Sequence, residues 1–334
     1  MATSTVKVLV VMLILTGPTF SEAVVVGQDE QARSITSYTI NVVNQKIASS
    51  GPSDIKELVR TTKIDVDEGE LPNAYSYRTH HASHIGISRK LVLLFYYVAE
   101  INVLNNQEHG QLTPCSIEYY NAIRKQYSNI NEAFLKGQKS ASIVAPEDFA
   151  KTSIQCSELT NLYPFPQNLK TARDSEVVSA IGFVYLHELG HLKYNHSPIT
   201  PVNFEKIPDE LSRQKAFFEY MCQSRNHEEE ADNFAADSLV DLGFPFSATS
   251  VSLWQTFTAT SGLDPSIEVI STHPNGYSRY VNVANRVRNR INAKGLSLPP
   301  GMDQLITEMN VLLKKISKTL PVQPMVDNTL FSCR

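Results

Sequence analysis

Two histidines four residues apart, with a glutamate directly after the first, form the segment of this chain best suited to chemistry: Tyr185-Leu186-His187-Glu188-Leu189-Gly190-His191. On a helix, positions i and i+4 lie on one face. The two imidazoles can therefore share one metal ion, with Glu188 beside it as a base. The ten residues before the motif, 177–186, are nearly all apolar, which marks a buried helix. Ionisable groups on a buried helix need partners, and a metal supplies one. The competing account is a pair of core histidines bonded to carbonyls, with Glu188 paired to a buried base.

Such a site needs a third ligand from a later element. Residues 226–239 read Asn-His-Glu-Glu-Glu-Ala-Asp-Asn-Phe-Ala-Ala-Asp-Ser-Leu. A run of acids is usually a solvated face, but helical geometry separates these three glutamates. Glu228, Asp232, Ala235 and Leu239 share one stripe. Glu229 runs with Asn233 and Ala236, and Glu230 with Phe234, Asp237 and Asp241. Glu228 alone combines a second acid one turn on with small and apolar residues that fit against another helix. Glu228 is the expected ligand, with Glu229 next in line. Asp232 is expected to accept a hydrogen bond from the far nitrogen of a ligand histidine and fix its tautomer.

These residues must be positioned by surrounding elements. Residues 30–47 have helical spacing, broken by Ser-Ser-Gly-Pro at 49–52. Residues 63–67 and 84–88 alternate as strands do, and an apolar helix follows over 91–101. Residues 105–172, with Pro114, Pro146, Pro164 and Pro166, look like an insertion holding one amphipathic helix over 117–135. The motif helix spans 175–195. Two further helices are expected over 207–222 and 226–241, the latter stopped by Gly243 and Pro245. C-terminal helices are expected over 277–291 and 304–316. The class is α+β, mostly helical, with a small sheet.

His187-Glu188-x-x-His191 followed by Glu228-x-x-Ala231-Asp232 resembles the gluzincin zinc metallopeptidases, most closely the family of the HtpX protease and the CaaX prenyl endopeptidase. Ser271-Thr272-His273-Pro274 with Arg279 is similar to that family's Thr-His-Pro segment and its following arginine. Leu71-Pro72-Asn73-Ala74 resembles the Pro-Asn-Ala start of its edge-strand region. The four blocks cover roughly residues 71 to 285. The best-known members are embedded in membranes, whereas no run beyond residue 23 here is long enough to span one. The long 105–172 segment is a second departure, and gives a layout similar to that of the phage-exclusion peptidase Lit.

The resemblance implies a zincin-like core and one zinc ion per chain, held by His187, His191 and Glu228. It implies an endopeptidase acting on polypeptide substrates, with protein quality control as one setting. Glu188 would be the general base and acid. His273 is the candidate donor to the developing oxyanion, with a structural helix-cap histidine as its other reading. Arg279 is the alternative donor, or a supporting residue behind the ligands. An extended substrate could add to a sheet edge at Asn73, Ala74 and Tyr75 within 73–77, or at 84–88. His80, His81 and His84 read as loop histidines before they read as a second metal site. Arg286, Arg288 and Arg290 read as a solvated face before they read as an exosite. The different-class alternative is a catalytically silent, zinc-stabilised binding module or holdase. A zinc hydrolase acting on something other than a peptide bond is a third account.

Composition bounds the rest. The 42% hydrophobic and 19% charged content supports a sizeable core, and 30 Lys+Arg against 34 Asp+Glu offers no global charge for nucleic acid. Lys7 precedes a short apolar run over 8–15, then Gly17-Pro18 and Ser21-Glu22-Ala23. That order predicts a signal peptide over 1–23 and an exported, periplasmic or secreted, mature domain over 24–334. Four cysteines in an exported chain permit two disulfides. Cys115 with Cys156, both in the 105–172 segment, is the expected pair, and Cys222 with Cys333 the other. Four buried free thiols are the alternative.

Overall fold

The computed structural model describes residues 28–67, 69, 71–139, 142–196, 207, 209–244, 250–261, 276–298, 303–304, 306–307 and 310–311. The expected signal peptide, the 271–274 segment with His273, Cys333, and most of the expected 304–316 helix lie outside them.

Helix α1 (Gln28–Ser50) buries Ile35, Ile40, Val43 and Ile47 along one side. Its two buried hydroxyls are satisfied within the helix: Thr36 donates to the Ala32 carbonyl and Thr39 to that of Ile35, each at 2.8 Å. Helix α2 (Ser53–Thr61) then leads directly into β1 (Thr62–Asp67). Strands β2 (Ala74–Arg78) and β3 (Ser83–Ser88) complete a small sheet in the order β1-β3-β2. β3 runs parallel to β1 and antiparallel to β2. Its Ile85 and Ile87 are fully buried, as a central strand requires. The 84–88 segment is therefore not an edge; among the described residues β1 and β2 hold the two edges. Alternation reports burial of a face, and cannot tell a central strand from an edge strand.

Ser88 caps helix α3 (Arg89–Gln107), its hydroxyl accepting from the Leu91 N–H at 3.2 Å. This helix is buried almost all round. Helix α4 (Thr113–Leu135), the short α5 (Pro146–Ala150) and a 3-10 helix over Ile154–Leu162 follow. Cys115 and Cys156 are joined by a disulfide that pins α4 to this 3-10 segment. Leu112, Tyr119, Ile123 and Leu159 enter the same apolar core as α1, α3 and the motif helix, so the 105–172 stretch is built into the body of the molecule.

Helices α6 (Lys170–Lys193), α7 (Glu210–Asp241), α8 (Val251–Ser261) and α9 (Gly276–Ala293) form the remainder. The two helices expected over 207–222 and 226–241 are one. The polar stretch around Gln223 to Asn226 contains no Pro or Gly, so nothing in the backbone stops the helix there. Helix α8 was not expected. Its N-terminus is held by Glu176, whose carboxylate accepts from Ser250 Oγ at 2.7 Å and from the Ser252 N–H at 3.2 Å. No local periodicity carries that contact. Among the described residues, no helix is long and apolar enough to cross a membrane.

Candidate metal centre

The motif histidines sit on the last turns of α6, facing α7. Gly190 is what lets the two helices meet closely. A Cβ there would lie 3.0 Å from Ala231 Cα and 3.1 Å from Phe234 Cδ1, so a larger residue would need the facing helix to give by a few tenths of an ångström. The approach brings the Glu228 carboxylate to the imidazoles. Glu228 Oε2 lies 3.6 Å from His187 Nε2, and Oε1 lies 3.5 Å from His191 Nε2. The two Nε2 atoms are 3.0 Å apart. One ligand atom from each residue falls within 4.8 Å of the other two, a grouping that could hold a metal ion. Tetrahedral zinc with N and O ligands at about 2.0–2.1 Å would separate its ligand atoms by roughly 3.3 Å, close to these distances.

The outer sides of the rings are also engaged. His187 Nδ1 lies 2.9 Å from Asp232 Oδ1. A carboxylate only accepts, so the proton sits on Nδ1 and the Nε2 lone pair faces His191 and Glu228. The second imidazole nitrogen and the Glu228 carboxylate face that same place. The donor set thus fits a metal ion.

Arg279, from α9, closes the arrangement from behind. Its Nε and Nη2 donate to the two oxygens of Asp232, each at 2.8 Å, and its Nη1 lies 3.5 Å from Glu228 Oε2. The Phe257 ring covers the guanidinium. Arg279 therefore braces the carboxylates of α7. Helix α9 is clasped onto α7 by Arg286 with Asp237 and Arg290 with Asp241. Arg288 pairs with Asp303. Each of these arginines thus has an acidic partner within the fold.

Electrostatics follow the packing. Burial pushes the His187 imidazole down, but the Asp232 hydrogen bond and the Asp232 and Glu228 charges outweigh it, leaving the group above its ordinary value. Burial pushes Asp232 up, but Arg279 and His187 hold its carboxyl below the usual range. Burial lowers Arg279, and Asp232 and Glu228 more than reverse that. Proton competition for His187 would make metal binding at this group pH-dependent.

Glu188 is buried beside His187 on α6 and is not part of the ligand group. Phe183 stacks against His187, and Trp254 on α8 packs edge-on against Phe183. Glu229 is exposed. His196 lies 2.9 Å from His191 through the two Nδ1 atoms, and its Nε2 lies 2.8 Å from Glu230 Oε2. Burial pushes the His196 imidazole down; Glu230 opposes this, and His227 and His191 lower it further. Sequence reasoning takes His196 as an ordinary surface residue or a support behind the ligands, not a ligand, and gives Glu230 no role. The available signal was that His196 stands five residues after His191, just past a helix end.

At the sheet, β2 packs on α6, and Arg78 donates to the Leu192 carbonyl. Asn73 precedes β2 and pairs its backbone with Ser88. Ala74 opens the strand, and Tyr75 lays its ring across Gly86, where a Cβ would collide with it. His80 and His81 are exposed, and His84 stacks on Tyr77. These three form no metal-ligand group among the described residues.

No family model, curated protein or solved structure matches this chain.

Proposed function

We propose that this chain is a zinc-dependent endopeptidase that hydrolyses peptide bonds in polypeptide substrates and works as an exported, periplasmic or secreted, protein. The observation that carries this reading is the convergence of His187, His191 and Glu228 at one point, with Glu188 buried beside the first ligand. Bound there, zinc supplies Lewis acidity toward the scissile carbonyl and a water acidified toward neutrality. The Glu188 carboxylate accepts the proton of the attacking water and returns it to the leaving nitrogen. His187 is held as the Nδ1–H tautomer by Asp232, which Arg279 fixes in turn. Strand β2 offers a sheet edge beside α6, where an extended chain can add by main-chain hydrogen bonds. His273 is the proposed donor to the oxyanion. The Cys115–Cys156 disulfide suits an oxidising compartment.

The test is zinc content and cleavage of an unfolded polypeptide, measured on the same samples. Wild type should carry one zinc and cleave. Glu188→Gln should keep the zinc and lose cleavage. Glu228→Ala should lose both. Full cleavage by Glu188→Gln overturns the mechanism, and stoichiometric zinc in Glu228→Ala overturns the ligand set. Zinc without cleavage in the wild type would favour a silent binding module.

A further inference from the structure

We propose that His196 and Glu230 form an outer relay that keeps the His191 proton on Nδ1 and so commits its Nε2 lone pair to the metal. This rests on the metal-centre reading above, and extends it to two residues that touch neither metal nor substrate.

The protons can be assigned from the outside inward. Glu230 is an exposed carboxylate and accepts only. Its Oε2 lies 2.8 Å from His196 Nε2, so that nitrogen carries the proton. A neutral His196 then has a bare Nδ1, 2.9 Å from His191 Nδ1. His191 must donate across that contact. Its own Nε2 is left unprotonated, on the side facing His187 and Glu228. Every hydrogen in the series Glu230, His196, His191 has one consistent place.

The backbone builds this contact. Helix α6 ends in a left-handed residue, Asn195 at φ 55°, which asparagine tolerates better than most residues. The Asn195 N–H donates to the Leu192 carbonyl at 3.2 Å, and the His196 N–H to the His191 carbonyl at 2.9 Å. This pair of bonds is a Schellman cap. It folds the chain back so that His196 lies against His191, five residues earlier. The His227 ring, from α7, stacks flat on His196 at 4.1 Å and 5°, fixing the plane of the imidazole. His196 and Glu230 are thus positioning residues for the second ligand, as Asp232 and Arg279 are for the first.

The relay is tested by zinc affinity of the full chain, measured by chelator competition and independent of proteolysis. Removing such an outer partner costs about 10- to 100-fold in metal affinity. His196→Leu should show a loss of that order. His196→Asn should recover most of it, because its amide oxygen takes the place of Nδ1 as acceptor. Glu230→Ala should also weaken zinc, but should add nothing in the His196→Leu background, since Glu230 acts through His196. Unchanged affinity in His196→Leu overturns the relay, as does a loss that asparagine fails to restore. An additive loss in the double variant overturns the order of its members. A wild-type chain that binds no zinc overturns the metal centre and the relay together. Zinc-loaded wild type with an indifferent His196→Leu overturns the relay alone.

Discussion

Asp232 accepts from His187 on one side and from both arms of Arg279 on the other. A buried carboxylate is costly unless it is paired and hydrogen-bonded, and here one of its partners is the candidate ligand His187. The role proposed for His273 belongs to the transition state. His273→Ala should keep zinc and KM while kcat falls by about 10²–10³, the usual cost of one oxyanion donor. Unchanged kcat would return it to a structural role. Another buried acid, Glu100, is far from the candidate ligands in sequence. Tyr163 donates to it, and Arg173 lies 3.6 Å away, sandwiched between Tyr96 and Phe165. Burial pushes its carboxyl up from 4.5, against the opposing pull of Tyr163 and Arg173. The folded state then holds this proton at pH values where the unfolded state has lost it. Its contribution to stability therefore falls as pH rises above 4.5 through the folded value. Urea unfolding across that range should show this slope in wild type and its loss in Glu100→Gln. An identical slope in both would remove Glu100 from the account.

Helices α6 and α7 carry the centre because they cross closely at one glycine. Gly190→Ala would push a methyl group onto the Ala231 backbone, which cannot rotate away as a side chain can. Overpacking of this kind costs about 1–3 kcal/mol. Zinc affinity should fall with stability, because Glu228 rides on the helix that must move. Thermal unfolding and zinc titration of Gly190→Ala check both effects. A variant with wild-type values in each would mean that the crossing is looser than the geometry shows. Continuity of α7 matters for the same reason. One unbroken helix holds Glu228, Glu230 and Asp232 in fixed rotation about a single axis, while Asp237 and Asp241, further along it, bind α9 and so deliver Arg279.

For the whole molecule, the 105–172 stretch is tied in by core packing and by the Cys115–Cys156 bond, whose partners are 41 residues apart. A loop of that length implies about 4 kcal/mol of stabilisation from the restricted unfolded chain. Cys115→Ala with Cys156→Ala should lose much of this in urea unfolding, and the variant should be indifferent to reductant. No change relative to oxidised wild type would show that the packing around Tyr119 and Leu159 suffices. The second expected pair, Cys222 with Cys333, reaches beyond the described residues.

Local periodicity was legible from the sequence because it depends only on neighbours along the chain. The i, i+4 histidines, the helix that carries them and the strands at 63–67 and 84–88 all follow from it. So does the choice of Glu228 over Glu229: the structure has the first buried and the second exposed, as their separate helical stripes require. The Cys115–Cys156 pair was accessible through shared segment and even count. Contacts between elements were not accessible, because no spacing encodes which faces meet. That is why the edge position of β2, the capping of α8 by Glu176, the ties from α9 to α7 and the embrace of Asp232 by Arg279 appear only in three dimensions. Glu230 shows the difference most clearly. Its stripe runs with Phe234, Asp237 and Asp241, apart from that of Glu228. It reaches the centre only because a left-handed Asn195 turns His196 back between the two helices.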